Sequence, residues 1–120
     1  MPNPVVRWQI ISAEPDQAAG FYQKLFAWKL STANALGYRE LLSGSDDGID
    51  GGVWPAQPGT PGFVQLHVEV TDLDATLAAA TKLGARVLVP KSVLPDGDTM
   101  AVLHDPTGVP FAICQLKKKT

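Results

Sequence analysis

Hydrophobic and polar residues alternate along two stretches of the chain, one near its start and one just past its middle. Apolar and polar side chains take turns over residues 6–11 and again over residues 64–70. Alternation with a period of two is typical of a β-strand with one buried face. Apolar residues then recur every three or four positions, which is typical of an amphipathic helix. The pattern therefore predicts a strand followed by a helix, twice.

Residues that start and stop helices frame both helical segments. Pro15 follows Glu14 at the beginning of the first segment, where a proline in the first turn is favoured. Asp72 is a candidate N-cap for the second segment, and Gly84 is a candidate left-handed stop. The two helices are therefore predicted to be equivalent.

Three further strands are predicted after each helix. They cover 28–32, 38–42 and 52–54 in the first half and 86–89, 99–103 and 110–115 in the second. The stretch 55–62 is rich in proline and glycine and is predicted to be a linker, because proline does not fit inside a central strand. Each half of the chain is thus predicted to be a βαβββ unit.

An internal repeat relates the two halves. A shift of 58 residues places Asp16 on Asp74, and it places the segment Lys24–Leu30 on Lys82–Leu88 with four of seven residues identical. Repeated sequence is the signature of a repeated supersecondary unit. We therefore predict one α+β domain over residues 1–120, made of units 4–56 and 62–116 joined by the linker 55–62.

Composition and charge exclude several classes of function. The 120 residues carry 18% charged residues and a formal net charge of -2, which provides no broad basic field for a nucleic acid. No apolar run approaches the roughly 18 to 20 residues that a membrane span needs, and the start of the chain lacks the pattern of a secretory signal. The single cysteine, Cys114, allows no intrachain disulfide and is predicted to be an inert buried thiol. We expect a cytoplasmic protein with no nucleic-acid or membrane partner.

Three motifs resemble those of a known superfamily. The first is Glu14–Tyr22 with Leu25–Trp28, the second is Asp72–Ala75 leading to Leu83–Ala85, and the third is the turn Asp105–Phe111. In this order they resemble the vicinal oxygen chelate superfamily, the group of glyoxalases, bleomycin-resistance proteins and extradiol dioxygenases. The resemblance implies two βαβββ units that form a cup-shaped, curled mixed sheet. The helices would lie on the outer face, a ligand cavity on the inner face, and a homodimer is expected.

The same resemblance implies where a metal would bind. Enzymes of this group hold a divalent metal with His, Gln or Glu side chains from the first and last strands of each unit. The corresponding positions here are Arg7, Gln65, Ala112 and a place near Trp54 or Pro55. A guanidinium offers no lone pair to a metal, and neither do alanine, tryptophan or proline side chains. Since Gln65 alone remains, we predict no metal and no other cofactor.

Alternation along the first strand of each unit selects the candidate site residues. Side chains two apart share a face, so Arg7 and Gln9 are predicted to point into the cup with Gln65, His67 and Glu69. Trp8, Ile10, Leu66 and Val68 would then pack under the helices. Arg7 either forms an ion pair with Glu69 or Glu40, or binds a carboxylate or phosphate of a ligand.

His67 and Glu69 are the candidate catalytic residues. His67 either serves as a general base beside Glu69 or is a hydrogen-bonded residue of the cavity wall. A relocated metal site that combines these two residues with Gln65 or Glu40 stays an alternative.

Four further side chains are candidates for ligand binding: Tyr38, Glu40, Trp54 and Met100. Trp54 either lines the pocket or fills the core, and periodicity does not decide which face of the strand 99–103 turns inward. The leading hypothesis is a glyoxalase/bleomycin-resistance-like protein that binds a small organic molecule in a metal-free cup. The alternatives are a lyase, isomerase or dioxygenase-type enzyme that acts on an oxygen-rich small substrate, and an interaction module whose exposed sheet edges build a dimer.

Overall fold

The computed structural model describes residues 3–33 and 38–117. Its elements in chain order are β1 (Val5–Ser12), α1 (Pro15–Phe26), β2 (Lys29–Ser31), β3 (Arg39–Leu42), β4 (Gly51–Pro55), β5 (Phe63–Glu69), α2 (Leu73–Lys82), β6 (Arg86–Val93), β7 (Thr99–His104) and β8 (Pro110–Gln115). Every helix and strand predicted from the pattern is present. The α+β class and the two βαβββ units are therefore confirmed.

Contacts divide the chain into two compact units. The first unit is Arg7–Gln65, and the second unit is Leu66–Thr120 together with Met1–Val6. The backbone N–H of Glu69 donates to the carbonyl of Pro4 at 2.9 Å, which ties the start of the chain to the second unit. The division therefore falls inside β5, past the linker.

The first unit packs α1 against one side of its sheet. The strand order is β2-β3-β4-β1, with β1 and β4 parallel and the other neighbours antiparallel. The core under the helix is formed by Ala19, Leu41 and Val53, with Trp8 and Ile10 packed against them. Both predicted core residues of β1 are confirmed.

The second unit repeats this arrangement with α2. Its strand order is β5-β8-β7-β6, with β5 and β8 parallel. Leu73, Leu103 and Ile113 form the core, and Val68 packs against it as predicted. The prediction for Leu66 is wrong, since 51% of this residue is exposed. Leu66 lies nearer the start of β5, outside the cluster that α2 covers.

The second helix begins and ends as its sequence predicts. The Asp72 carboxylate accepts a hydrogen bond from the N–H of Ala75 at 3.0 Å, which satisfies one of the first amides of the helix. Gly84 follows the helix with φ +102°, a left-handed conformation that favours glycine. At α1, Pro15 starts the helix without a side-chain cap from Glu14.

Two prolines lie in strands that were predicted to stop before them. Pro55 is the last residue of β4, where it pairs with Ser12, so the observed connection begins one residue later than the predicted linker. β6 continues through Pro90 to Val93, with register shifts on both sides of Val89. β6 is the end strand of its sheet, and such edges and bulges accept proline because no ladder donor is lost there. In the described part of the chain, neither helix has the length and apolar character to span a membrane.

Candidate functional site

The first unit has a second sheet side that α1 does not cover. Gln9 of β1, Gly52 of β4 and Glu40 of β3 are consecutive partners across three strands. Ile11 and Trp54 form the next pair, and Tyr38 lies two residues before Glu40 on the same side. We call this side the helix-free face of the first unit, formed by Arg7, Gln9, Ile11, Tyr38, Glu40, Gly52 and Trp54.

Two adjacent glycines leave room for an aromatic ring on each side of β4. A Cβ atom at Gly51 would collide with the ring of Trp8, on the side of the helix. A Cβ atom at Gly52 would collide with Cζ and the hydroxyl oxygen of Tyr38, on the helix-free face. The Tyr38 ring therefore lies directly over Gly52. Its centroid is 5.8 Å from that of Trp54.

A pair of buried amides adjoins this ring. Nε2 of Gln65 donates to Oε1 of Gln9 at 3.1 Å, and the two residues are 3% and 7% exposed. Gln9 is also a hydrogen-bonding partner of the Tyr38 hydroxyl. Because buried polar groups are costly unless they are paired, these bonds let the face keep polar side chains away from water.

The Tyr38 phenol keeps its proton at neutral pH. Burial raises the pKa of Tyr38 from 10.0 to about 12, opposed by the positive charge of Arg7 and the hydrogen bond with Gln9, while Glu40 raises it further. Tyr38 is 5% exposed. The face therefore combines a neutral phenol, a guanidinium, a carboxylate and the amide of Gln9, and the amide of Gln65 adjoins it. This set can bind the oxygen atoms of an organic anion.

The second unit has a helix-free face of a different character. His67 of β5, Ala112 of β8 and Val102 of β7 are consecutive partners, and so are Glu69, Cys114 and Met100. We define the helix-free face of the second unit by these six residues. Ala101 and Leu103 point the other way, into the core under α2. This settles which side of β7 carries Met100.

The two candidate catalytic residues thus lie among mainly apolar neighbours. His67 is 5% exposed and Glu69 is half-buried. Cys114 is buried, with its Sγ 3.7 Å from the carbonyl of Val68.

Strand pairing also corrects one of the positions considered for a metal. Gln9 and His67 are equivalent in the repeat, and they pair with Gly52 and Ala112 respectively. The position that matches Ala112 is therefore Gly52, whereas the sequence placed it near Trp54 or Pro55. The shift of 58 residues relates β1 to β5, but the shift between β4 and β8 is two residues larger.

The residues present do not fit a divalent metal. At the four positions stand Arg7, Gly52, Gln65 and Ala112, of which Gln65 alone carries a donor atom for a metal. Within residues 3–33 and 38–117, no three His, Cys, Asp or Glu side chains are grouped as metal ligands would be. A single neutral amide does not hold a divalent cation in place.

A surface cavity of about 400 Å³ lies in the second unit beside the turn between β7 and β8. Its lining includes Gly84, Arg86 and Asp105. The Asp105 carboxylate accepts hydrogen bonds from Thr107 and Val109 within its own turn, and these bonds lower the pKa of Asp105. Oδ1 of this carboxylate is therefore engaged within the turn itself.

Comparison with known proteins shows which family this domain belongs to. A family model described as a glyoxalase-like domain matches residues 8–114. A hypothetical protein from Bacillus halodurans C-125 is similar in structure, with a TM-score of 0.70, 14% identity and coverage of 100% of this chain and 99% of that chain. No curated protein matches the sequence at a significant level.

Two further solved structures share the fold. A member of the glyoxalase/bleomycin resistance protein/dioxygenase superfamily from Vibrio splendidus 12B01 has a TM-score of 0.64 and 13% identity, and the match covers 96% of this chain and 100% of that chain. Methylmalonyl-CoA epimerase from Mycobacterium tuberculosis has a TM-score of 0.63 and 16% identity, over 98% of this chain and 93% of that chain. At these identities the likeness extends to the fold alone.

Proposed function

This chain belongs to the glyoxalase-like domain family, and from that premise we propose that it binds a small organic molecule without a metal, on the helix-free face of the first unit. One observation carries the proposal. The positions that would hold a metal carry Arg7, Gly52, Gln65 and Ala112, while hydrogen-bonding groups are gathered around Tyr38. The chemistry of this face suits the oxygen atoms of an organic ligand better than it suits a cation.

The side chains of the face indicate which organic molecule would bind. Arg7 presents a planar cationic fork that matches a carboxylate, and it is half-buried, so its charge is less screened by water. Trp54 is 38% exposed beside Tyr38 and offers an aromatic surface. A ligand with a flat apolar part and a carboxylate would use both groups. We therefore propose an aryl carboxylate as the ligand class.

Titration calorimetry tests this proposal on protein treated with a chelator. Benzoate is the probe, and benzamide is its neutral analogue of nearly the same shape. Hydrogen bonds to charged groups contribute about 1.5 to 3 kcal/mol, so Arg7→Ala should weaken benzoate binding by roughly tenfold or more. Arg86→Ala, which removes an exposed arginine of the second unit, is the matched control and should leave the affinity unchanged.

Two results would contradict the proposal. Equal affinity of wild type and Arg7→Ala for benzoate would remove Arg7 from the binding role. Stoichiometric, tight binding of zinc, nickel or manganese by the chelator-treated protein would overturn the metal-free site. In that case His67 and Glu69 would become the first candidates for its ligands.

A lyase or isomerase is the second candidate function. It is favoured by the burial of His67 on β5, with a carboxylate two residues later on the same face. A histidine in this setting can move a proton near neutral pH. The enzyme hypothesis predicts that the wild-type protein exchanges the α-proton of an aryl hydroxy acid such as mandelate in deuterium oxide. If His67→Ala loses the exchange, His67 is the base. If the wild type shows no exchange, the enzyme hypothesis fails and the binding function remains.

A further inference from the structure

The two groups that the proposed function uses lie far apart along the strands. Trp54 pairs with Ile11, and Arg7 stands four residues before Ile11 on β1. At about 3.3 Å per residue, about 13 Å of strand separates the two positions. We propose that the face selects ligands whose aromatic ring and carboxylate are joined by a short flexible chain, with the carboxylate on Arg7 and the ring on Trp54. This inference rests on the proposed binding function and narrows its ligand class.

Both groups are accessible to a ligand. Trp54 is 38% exposed, and Arg7 is half-buried. Within residues 3–33 and 38–117, the two ion pairs that form do not include Arg7, so its guanidinium has no carboxylate partner there. A planar guanidinium in this state matches the carboxylate of a ligand.

A buried ring fills the place between these two groups. Gly52 pairs with Gln9, midway along the strands between Trp54 and Arg7, and the hydroxyl end of Tyr38 lies over Gly52. Tyr38 is 5% exposed, so its ring belongs to the floor of the face and not to its accessible surface. Because this floor is filled, the ligand itself has to provide the length that joins the two accessible groups.

The lengths of aryl carboxylates decide which of them reaches both groups. One C–C bond of about 1.5 Å joins ring and carboxylate in benzoate, and four such bonds join them in 4-phenylbutyrate. With a charge-assisted hydrogen bond of about 2.8 Å, the ring centre lies about 6 Å from a guanidinium nitrogen for benzoate and about 10 Å for extended 4-phenylbutyrate.

The longer acid matches the spacing of the face. Side chains stand roughly perpendicular to a sheet and lean along the strand, which covers a few ångströms of the separation but not all of it. Benzoate therefore binds Arg7 and leaves its ring short of Trp54, whereas 4-phenylbutyrate reaches both groups.

Titration calorimetry with the two acids tests the spacing. The wild type should bind 4-phenylbutyrate at least about tenfold more tightly than benzoate, since an aromatic contact adds to the ion pair. In Trp54→Ala this ratio should fall to about threefold or less, because the added ring contact is lost. Phe21→Ala removes an exposed aromatic side chain from α1 and is the matched control, which should keep the wild-type ratio.

A spectroscopic readout locates the bound ring without removing a side chain. Protein labelled with 5-fluorotryptophan gives one ¹⁹F signal for each of its 3 tryptophans, and Trp54→Phe assigns the signal of Trp54. 4-Phenylbutyrate should shift this signal, and benzoate should leave it in place. Trp8 and Trp28 pack in the core under α1 and serve as internal controls. This measurement decides the question even where Trp54→Ala does not fold.

The outcomes separate this inference from the proposed function. If benzoate binds and needs Arg7, but 4-phenylbutyrate binds no more tightly and does not shift the Trp54 signal, the spacing is overturned and the proposed function stands. The spacing is also overturned if Trp54→Ala keeps the wild-type ratio, because the extra methylenes alone then explain the gain. If the wild type binds neither acid, the aryl carboxylate function fails, and this inference fails with it.

Discussion

The same substitution, glycine to alanine, should have opposite effects at two positions of the first unit. At Gly20, inside α1, an added Cβ meets no atom within 4 Å. At Gly52 an added Cβ would collide with the Tyr38 ring and also with the backbone carbonyl of Arg39. The first clash can be relieved by moving a side chain, but the second requires β3 and β4 to separate.

The magnitudes follow from these two environments. Gly20→Ala replaces a poor helix former by the best one in open space, which should raise the free energy of unfolding by about 0.8 to 1 kcal/mol. Gly52→Ala regains about 0.4 to 1 kcal/mol from the unfolded state but introduces overpacking that costs about 1 to 3 kcal/mol. Because a backbone atom is involved, we expect the upper part of that range. The net result should be a loss of about 1 to 2 kcal/mol.

Equilibrium unfolding in urea, followed by circular dichroism, measures both changes. For a chain of 120 residues, each kcal/mol corresponds to a shift in Tm of about 4 °C, so thermal unfolding gives an independent check. Tyr38→Ala combined with Gly52→Ala should show coupling, because the alanine no longer meets a ring. If Gly52→Ala is as stable as the wild type, or if the double variant shows no coupling, the close packing of Tyr38 on Gly52 is refuted.

Two further predictions concern a helix cap and a titration. Asp72→Ala should lower the free energy of unfolding by about 1 kcal/mol because the Ala75 amide loses its acceptor, whereas Glu14→Ala, which removes no cap bond, should change it by less than about 0.5 kcal/mol in the same urea assay. Stability should fall as the pH rises from 10.0 to about 12, since a tyrosine in the unfolded chain loses its proton near the lower value while Tyr38 keeps its proton in the fold. The loss should reach about 2 to 3 kcal/mol by urea unfolding across this range, and an equal loss in Tyr38→Phe would contradict this origin.

The fold could be predicted because its signals are local. Strand alternation, the Asp72 cap and the Gly84 stop each act over a few residues, and all three are confirmed. The extension of β6 through Pro90 could not be predicted, because only the place of a strand within its sheet shows whether a proline is tolerated. The homodimer and the cytoplasmic location stay predictions.

The site could be predicted only in part, because it depends on contacts between distant strands. Alternation in the sequence predicted that Arg7, Gln9 and Gln65 share one face of the strands. The sequence does not show which aromatic rings lie over Gly51 and Gly52. The position matching Ala112 was misplaced by two or three residues, since the spacing between the first and last strands differs between the two halves. The register between strands that are distant in sequence can be determined only from the three-dimensional structure.

The repeat itself offers a reason to assign the polar face of the first unit to binding. The position of Tyr38 opposite Trp54 corresponds to that of Met100 opposite Cys114 in the second unit, where the same fold packs well with apolar side chains. Burying a phenol beside two amides is costly unless every group is paired, and apolar replacements in such places are often neutral or stabilising. Since the second unit has Met100 at the position of Tyr38, the βαβββ unit does not require a phenol there, and folding alone does not explain Tyr38. We propose that recognition of a ligand's oxygen atoms does.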